Sequence, residues 1–200
     1  GKNVFVEKPL CLYEEELDVI QEAYKRSSGQ LMLGFNRRFA PQISEIKKNL
    51  GNGPVAIQYR INAGVVAADH WVHDPKTGGG RIIGEVCHFI DLCTYLSSSK
   101  VVSVSAVAMS DNKTSSSAVK SAMNDTVSIQ LQMENGSIAS ITYFSNGHKD
   151  VPKEYLEVSS GGQMFILDDF KTLKSFGKKS GSSEGKQDKG HAAEVKAFLN

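Results

Sequence analysis

The sequence predicts an α+β domain: one open, mainly antiparallel β-sheet with helices packed on one face. Three observations carry this. In the first half, apolar residues recur at helical spacing, at Leu17, Ile20 and Tyr24 and again at Ile43, Ile46 and Leu50. The second half is a run of short alternating segments, such as Val127, Ile129, Leu131 and Met133 interleaved with Ser128, Gln130 and Gln132. Asn135-Gly136 sits between two such segments, where both residues tolerate the positive φ of a tight hairpin turn.

Taken in order, Val4-Phe5-Val6 reads as a strand that Pro9 prevents from continuing. A buried strand so near the first residue is expected of a chain whose preceding segment is missing. Glu14 to Ser28 is a predicted helix, with acids in its first turn, Lys25 and Arg26 in its last, and Gly29 as its stop. Leu31 to Phe35 is a short strand, and Pro41 opens a helix that Gly51 and Gly53 end. The alternation from Val55 to Ile61 predicts a strand, Gly64 to Gly80 a polar and aromatic loop, and Arg81 to Leu96 a single helix. Strands are predicted at Val101–Met109, Val127–Met133, Ile138–Phe144, Tyr155–Ser159, Gln163–Leu167 and Thr172–Phe176, with a Ser-rich loop over Ser110–Asn124. Lys178 to Gly190, rich in Lys, Gly and Ser, reads as a mobile segment, and His191 to Asn200 as the start of a last helix.

Bulk properties exclude several function classes. The chain has 200 residues, 40% hydrophobic and 22% charged, with a formal net charge of +1. No global field steers it to nucleic acid or to an anionic membrane, so neither is an expected partner. No apolar run is long enough to span a bilayer, and the N-terminus lacks a signal-peptide layout. Cys11, Cys87 and Cys93 are too few and odd in number for a disulfide framework, which suits a reducing compartment and a cytoplasmic protein. His70 and His73 lack a second tight ligand pair, so no metal site is expected. Outward-facing uncharged groups on the strands call for a cover, and a second copy in a homo-oligomer is the natural one.

The chemistry concentrates in Gly1-Lys2-Asn3-Val4-Phe5-Val6-Glu7-Lys8-Pro9-Leu10, in Gly34-Phe35-Asn36-Arg37-Arg38-Phe39, and in Gly78-Gly79-Gly80-Arg81-Ile82-Ile83-Gly84-Glu85-Val86-Cys87-His88-Phe89-Ile90-Asp91-Leu92. Their order and spacing resemble the Gfo/Idh/MocA family, the glucose–fructose oxidoreductase and inositol dehydrogenase group. The closing Gly190-His191-Ala192-Ala193-Glu194 resembles that family's return helix. The resemblance covers essentially the whole chain, but only the later part of a family member. Such proteins begin with a Rossmann domain, and no G-x-G-x-x-G occurs here. The resemblance therefore implies three parts. Residues 1–10 are the last strand of the Rossmann domain and the Glu-Lys-Pro junction, 11–190 a substrate-binding and oligomerisation domain, and 191–200 the start of the return helix.

The resemblance also implies roles. Lys8 stands beside the nicotinamide and the reacting carbinol, as catalytic and cofactor-facing group, with Glu7, Pro9 and Arg37 on the cofactor side. Oxidising an alcohol requires removal of the hydroxyl proton as hydride leaves carbon, and a desolvated lysine serves as acid, base or hydrogen-bond donor there. His88 is the second catalytic candidate, because a neutral imidazole accepts or relays a proton. Taken singly, Lys8 is a surface lysine after a strand and His88 a core histidine bonded to a carbonyl; the glycine run and the spacing favour function. Many relatives carry an aspartate four residues before the histidine. Here that position is Gly84 and the acid follows at Glu85, three residues from His88, where it either orients the ring or points elsewhere.

Asn36 and Arg38 are candidate substrate contacts, with each arginine either an anion fork or half of a structural ion pair. Asp91 either touches a sugar hydroxyl or closes a local network. Trp71 is placed to stack on a sugar, with His73 and its neighbours Asp69 and Asp74 bonding its hydroxyls. The expected function is the substrate domain of an oxidoreductase that uses NAD or NADP on a sugar, sugar nucleotide or cyclitol, inactive as these residues alone. The alternatives are a non-catalytic oligomerisation or ligand-binding module, and a non-redox enzyme that works through transient oxidation.

Overall fold

The computed structural model describes residues 1–67, 69–109, 125–178 and 180–200. The loop expected over Ser110–Asn124 lies outside the described residues, as does Lys179. The chain begins with a small parallel pair, β1 (Val4–Val6) and β2 (Leu31–Leu33), joined through helix α1 (Glu14–Lys25). Glu14, Glu15 and Glu16 fill the first turn of α1, and the Glu16 carboxylate accepts from the amides of Leu12 and Tyr13 at 2.9 and 3.1 Å. No residue of α1 is buried.

A 3-10 turn at Asn36–Phe39 leads into α2 (Pro41–Asn49), and then the main sheet begins with β3 (Ala56–Asn62). A second 3-10 turn, Trp71–His73, precedes the segment expected to be one helix from Arg81 to Leu96. That segment is two pieces: a π-helical turn, Ile82–Val86, and helix α3, Cys87–Ser97. The wider turn, with Gly84 at its middle, carries one more residue per turn than an α-helix and re-aims the side chains that precede His88.

The remaining strands are β4 (Val101–Ala108), β5 (Val127–Met133), β6 (Ile138–Phe144), β7 (Glu154–Ser160), β8 (Gln163–Asp168), β9 (Thr172–Phe176) and β10 (Gly181–Glu184). They form an eight-stranded sheet in the order β10-β9-β8-β7-β3-β6-β5-β4. Every neighbouring pair is antiparallel except β3 and β6, which run parallel in the register Tyr59 to Ile141. Helix α4 (His191–Leu199) closes the chain against the Asn36–Phe39 turn and the N-terminal strand, where Phe198 meets Phe5 edge to face at 5.5 Å.

One sequence expectation changes here. The Lys178–Gly190 stretch, expected to be mobile, contributes β10, which pairs with β9, and then anchors itself through Gln187 and Lys189. A Ser- and Gly-rich segment suits this place because an edge strand exposed on both faces needs no apolar side chains. The hairpin between β8 and β9 also uses residues that rarely take positive φ, Asp169 and Phe170. The fully buried Phe170 ring holds that turn, and its carbonyl accepts from Gln42 Nε2 at 3.0 Å.

The core lies between the sheet and α2 and α3. Ile57, Tyr59 and Ile61, Leu131 and Met133, Ile141 and Tyr143, and Leu156 and Val158 face Ile43, Ile46, Phe89, Leu92 and Leu96, and all are buried. The other face is largely polar, with Gln58, Gln130 and Gln132 exposed on it, and the edge strand β4 exposes Val102, Val104 and Val107 by 60%, 61% and 75%. Among the described residues no helix is long and apolar enough to cross a membrane, and all three cysteines are free. Ile141, with no exposed surface and in the strand that carries the parallel pairing, is a sensitive probe of this core. Ile141→Ala is expected to cost about 2–5 kcal/mol in urea unfolding; a loss under about 1 kcal/mol would show that the β3–β6 seam is loosely packed.

Candidate functional site

The site grows from the π-helical turn. Gly84 lies within it, and its carbonyl accepts the Lys8 ammonium at 2.5 Å. Lys8 comes from the end of the segment that follows β1, so 76 residues of chain separate donor from acceptor. His88 stands one turn further on, in the first turn of α3. The two catalytic candidates of the sequence thus occupy one neighbourhood, near enough for the Lys8 charge to act on the imidazole.

His88 is 8% exposed, its ring edge-on to Phe35 at 6.1 Å. Its Nδ1 is buried and makes no hydrogen bond to any described residue. Burial pushes the imidazole pKa down to about 2, helped by the cations of Arg37, Lys8 and Lys153 and opposed by Glu154. The ring is therefore neutral at any ordinary pH, with an unused acceptor or donor site.

Glu85 does not orient His88. Its carboxylate accepts from the Tyr143 hydroxyl at 2.5 Å and from Lys153 Nζ at 3.4 Å, with Arg81 at 3.8 Å. Burial raises this carboxyl, but Lys153, the Tyr143 hydroxyl and Arg81 outweigh it and hold Glu85 below its usual range. The three-residue spacing from His88 puts two side chains on one face only of a regular α-helix, and the π turn breaks that regularity.

The arginines and Asp91 are all committed. Arg37 forks onto Glu154, with Nε to Oε2 and Nη2 to Oε1 both at 2.8 Å, and its guanidinium lies over Phe89 at 5.1 Å. Arg38 forks onto Asp91, with Nε to Oδ2 at 2.6 Å and Nη2 to Oδ1. Asn36 donates to the Lys189 carbonyl at 2.8 Å. The three thus tie the Asn36–Phe39 turn to the segment before α4, to β7 and to α3, and the forks of both arginines are occupied. Glu7 is exposed and lies across Gly34, where a Cβ would come within 2.8 Å of its Oε2. Pro9 follows Lys8 through a cis peptide bond.

Trp71 is 63% exposed on the 3-10 turn, and His73 lies beside Asp125, Nδ1 to Oδ2 at 3.9 Å, with its Nε2 buried and without a partner among the described residues. The glycine run seats this turn. A Cβ on Gly78 would meet the carbonyl oxygens of Trp71 and Val72 at 2.5 and 2.4 Å, so only glycine lets the loop close against the start of the helix. Asp74 is spent on capping its own loop, accepting from the Lys76 amide and the Thr77 hydroxyl, both at 2.9 Å. Among the described residues no group of three His, Cys, Asp or Glu side chains is arranged to hold a metal ion.

Sequence reasoning missed Tyr143, Lys153, Glu154 and Lys189. Glu154, 1% exposed, accepts from Arg37, from Lys189 Nζ at 2.7 Å and from the Tyr59 hydroxyl. Burial raises its carboxyl, but Arg37 and Lys189 override this and hold it at about 2. Tyr143, Lys153 and Glu154 sit at strand ends more than 50 positions from the residues they bond in the motifs, Lys189 lies just before α4, and nothing local marks any of them. The one available signal was a Lys153-Glu154 pair opening an otherwise alternating strand.

The GFO/IDH/MocA C-terminal domain family matches residues 54–159. The uncharacterized oxidoreductase YrbE of Bacillus subtilis is 28% identical over 143 residues, 70% of this chain and 41% of that protein. The scyllo-inositol 2-dehydrogenase (NAD(+)) of Bacillus subtilis is 33% identical over 110 residues, 52% of this chain and 31% of that protein. Among solved structures, UDP-N-acetylglucosamine 3-dehydrogenase GnnA from Acidithiobacillus ferrooxidans superposes on 99% of this chain with a TM-score of 0.79 at 19% identity, over 61% of its own chain. The chain thus spans well under half the length of these curated relatives.

The acid response follows from the two depressed groups. Unfolded, His88 takes a proton near 6.5 and Glu154 near 4.5, whereas folded both resist to about 2. The unfolded chain binds more protons in that window, so stability falls as pH drops through 6.5 and again through 4.5. The urea midpoint is expected to decline in those two limbs, and His88→Gln to flatten the upper one. A His88 imidazole whose NMR resonances titrate near about pH 6 in the folded protein would contradict this.

Proposed function

The chain belongs to the GFO/IDH/MocA C-terminal domain family, and on that premise we propose that it is the substrate domain of an NAD(P)-dependent oxidoreductase acting on a sugar, sugar nucleotide or cyclitol. The observation that carries this reading is the Lys8 ammonium, anchored on the Gly84 carbonyl one turn from the unpartnered Nδ1 of His88. A buried imidazole with an open nitrogen fits a substrate hydroxyl, because leaving it unfilled costs desolvation without return.

The nicotinamide, when bound, accepts or returns the hydride. This chain lacks the glycine cradle for a dinucleotide, so its own residues act on the substrate. In this reading Lys8, as the neutral amine, accepts the carbinol proton as hydride leaves carbon and, as the ammonium so formed, returns it in the reverse direction. The Gly84 carbonyl fixes the ammonium along one direction and leaves its other donors free. His88, neutral, orients a hydroxyl rather than carrying charge. Trp71 offers an apolar face to a sugar ring. Pairing through the open sheet face and its exposed edge strand β4 completes the proposal as a homo-oligomer.

Gly84 and the diversion of Glu85 to Tyr143 leave His88 without an orienting acid, which favours the second reading, a ligand-binding module without turnover. One experiment separates the two. In the protein that carries this chain beside a dinucleotide-binding domain, Lys8→Ala is expected to lower sugar-dependent NAD(P) reduction about 100-fold or more while dinucleotide affinity changes by less than about threefold. Undiminished turnover removes Lys8 from the chemistry, and no turnover with any sugar in the unaltered protein supports the binding module. The 200 residues alone are expected to reduce no dinucleotide.

A further inference from the structure

The closing helix sets two acids against each other. Phe198 of α4 sits on Phe5 of β1 at 5.5 Å. Residues two apart on a strand point the same way, and residues four apart on a helix share a face. Glu7 follows Phe5 by two residues and Glu194 precedes Phe198 by four, a step of about 6 Å along either element. The two carboxyls therefore come together beside the two rings, and the Glu7 charge acts on Glu194. Glu194 is 2% exposed, and its buried Oε1 has no hydrogen-bond partner among the described residues. Its helix is held at both ends. Phe198 rests on Phe5, and a Cβ on Gly190 would meet the Asn36 carbonyl oxygen at 2.4 Å and the Ala40 nitrogen at 2.5 Å.

Among the described residues no cation pairs with either acid. Lys8 turns to the Gly84 carbonyl, Arg37 and Lys189 are spent on Glu154, and Arg38 is forked onto Asp91. β2 brings no titratable group, Asp188 accepts from the Gly190 amide at 2.8 Å, and His191 and Lys196 on α4 itself are exposed. A carboxylate near a helix start is ordinarily favoured in its charged form. Here burial, and then the Glu7 charge, push the Glu194 carboxyl up to about 7.

We propose that α4 is a proton-gated clasp: it docks on β1 with Glu194 protonated, and ionisation of that carboxyl against Glu7 loosens the helix. β1 ends two residues before Lys8, so the clasp grips the segment that carries the ammonium to the Gly84 carbonyl. It needs no turnover at Lys8 and His88. Docked, Glu194 keeps its proton to about 7, whereas released into water it loses it near 4.5. The docked state binds more protons between those values, so docking weakens as pH rises from 4.5 through 7. This opposes the proton uptake of His88 on unfolding. It makes the upper acid limb of the urea midpoint shallower, and Glu194→Gln is expected to deepen that limb.

The test follows the Glu194 side-chain carboxyl by carbon-13 NMR and the α4 amides by hydrogen exchange in the 200-residue chain. The carboxyl is expected to titrate near 7, and Glu7→Gln to bring that midpoint down by about one unit. Protection of the α4 amides, relative to those of β3 and β6, is expected to fall about tenfold from about pH 6 to about pH 8. In Glu194→Gln, which cannot ionise, the same protection stays level. The titration needs no variant, so it decides the matter even where a variant fails to fold. A Glu194 carboxyl titrating below about pH 5, α4 protection level across that span in the unaltered chain, or the same tenfold loss in Glu194→Gln overturns the proposal. So does a midpoint that millimolar Mg²⁺ moves by about one unit or more, which makes the pair a cation site instead.

Discussion

The buried carboxylate of Glu154 is the interaction on which the arrangement depends. It accepts from Arg37 on the turn before α2, from Tyr59 on β3 and from Lys189 before α4, and it opens β7. A carboxylate removed from water at this depth is tolerable only with such a full set of donors. Once satisfied, it fixes four elements to one point. Arg37 in turn covers Phe89, the neighbour of His88, so the network is also the floor of the candidate centre.

The sheet divides the molecule into a closed and an open side. On the closed side, branched and aromatic residues pack against α2 and α3, and the π turn anchors Val86 in the same core while leaving Ile82 and Ile83 exposed. The π turn matters because it redirects two groups at once. It places the Gly84 carbonyl at Lys8 and the Glu85 carboxylate at Tyr143. A regular helix through the same residues would have set Glu85 and His88 on one face. The departure at position 84 therefore reshapes the site instead of deleting a group from it.

Much of the fold was legible because its signals are local. Alternation at Val127–Met133, the Asn135-Gly136 turn and the helical spacing of Ile43, Ile46 and Leu50 each depend on neighbours in sequence. The pairing of β3 with β6 in parallel and the edge strand β10 were not, since neither register nor edge position leaves a local trace. Lys8 and His88 stood out by motif and spacing, and the structure brings them together. The partners of Arg37, Arg38 and Glu85 did not, because an ion pair across more than 50 residues is decided by topology. The same limit hid the mid-helix change of winding.

The parallel seam has a kinetic consequence. β3 is the earliest strand of the sheet, yet it lies between β6 and β7, with Ala56 facing Ile138 on one side and Ser159 on the other. The hairpins β5–β6 and β7–β8 can zip from their own turns, but neither joins the other until a strand some 80 residues upstream slots between them. Closing so long a loop before any contact rewards it makes this insertion the entropic bottleneck. The molecule should therefore pass through a state with two preformed half-sheets whose inner edges are bare, and a nascent chain in that state is at its most vulnerable to mispairing with its neighbours.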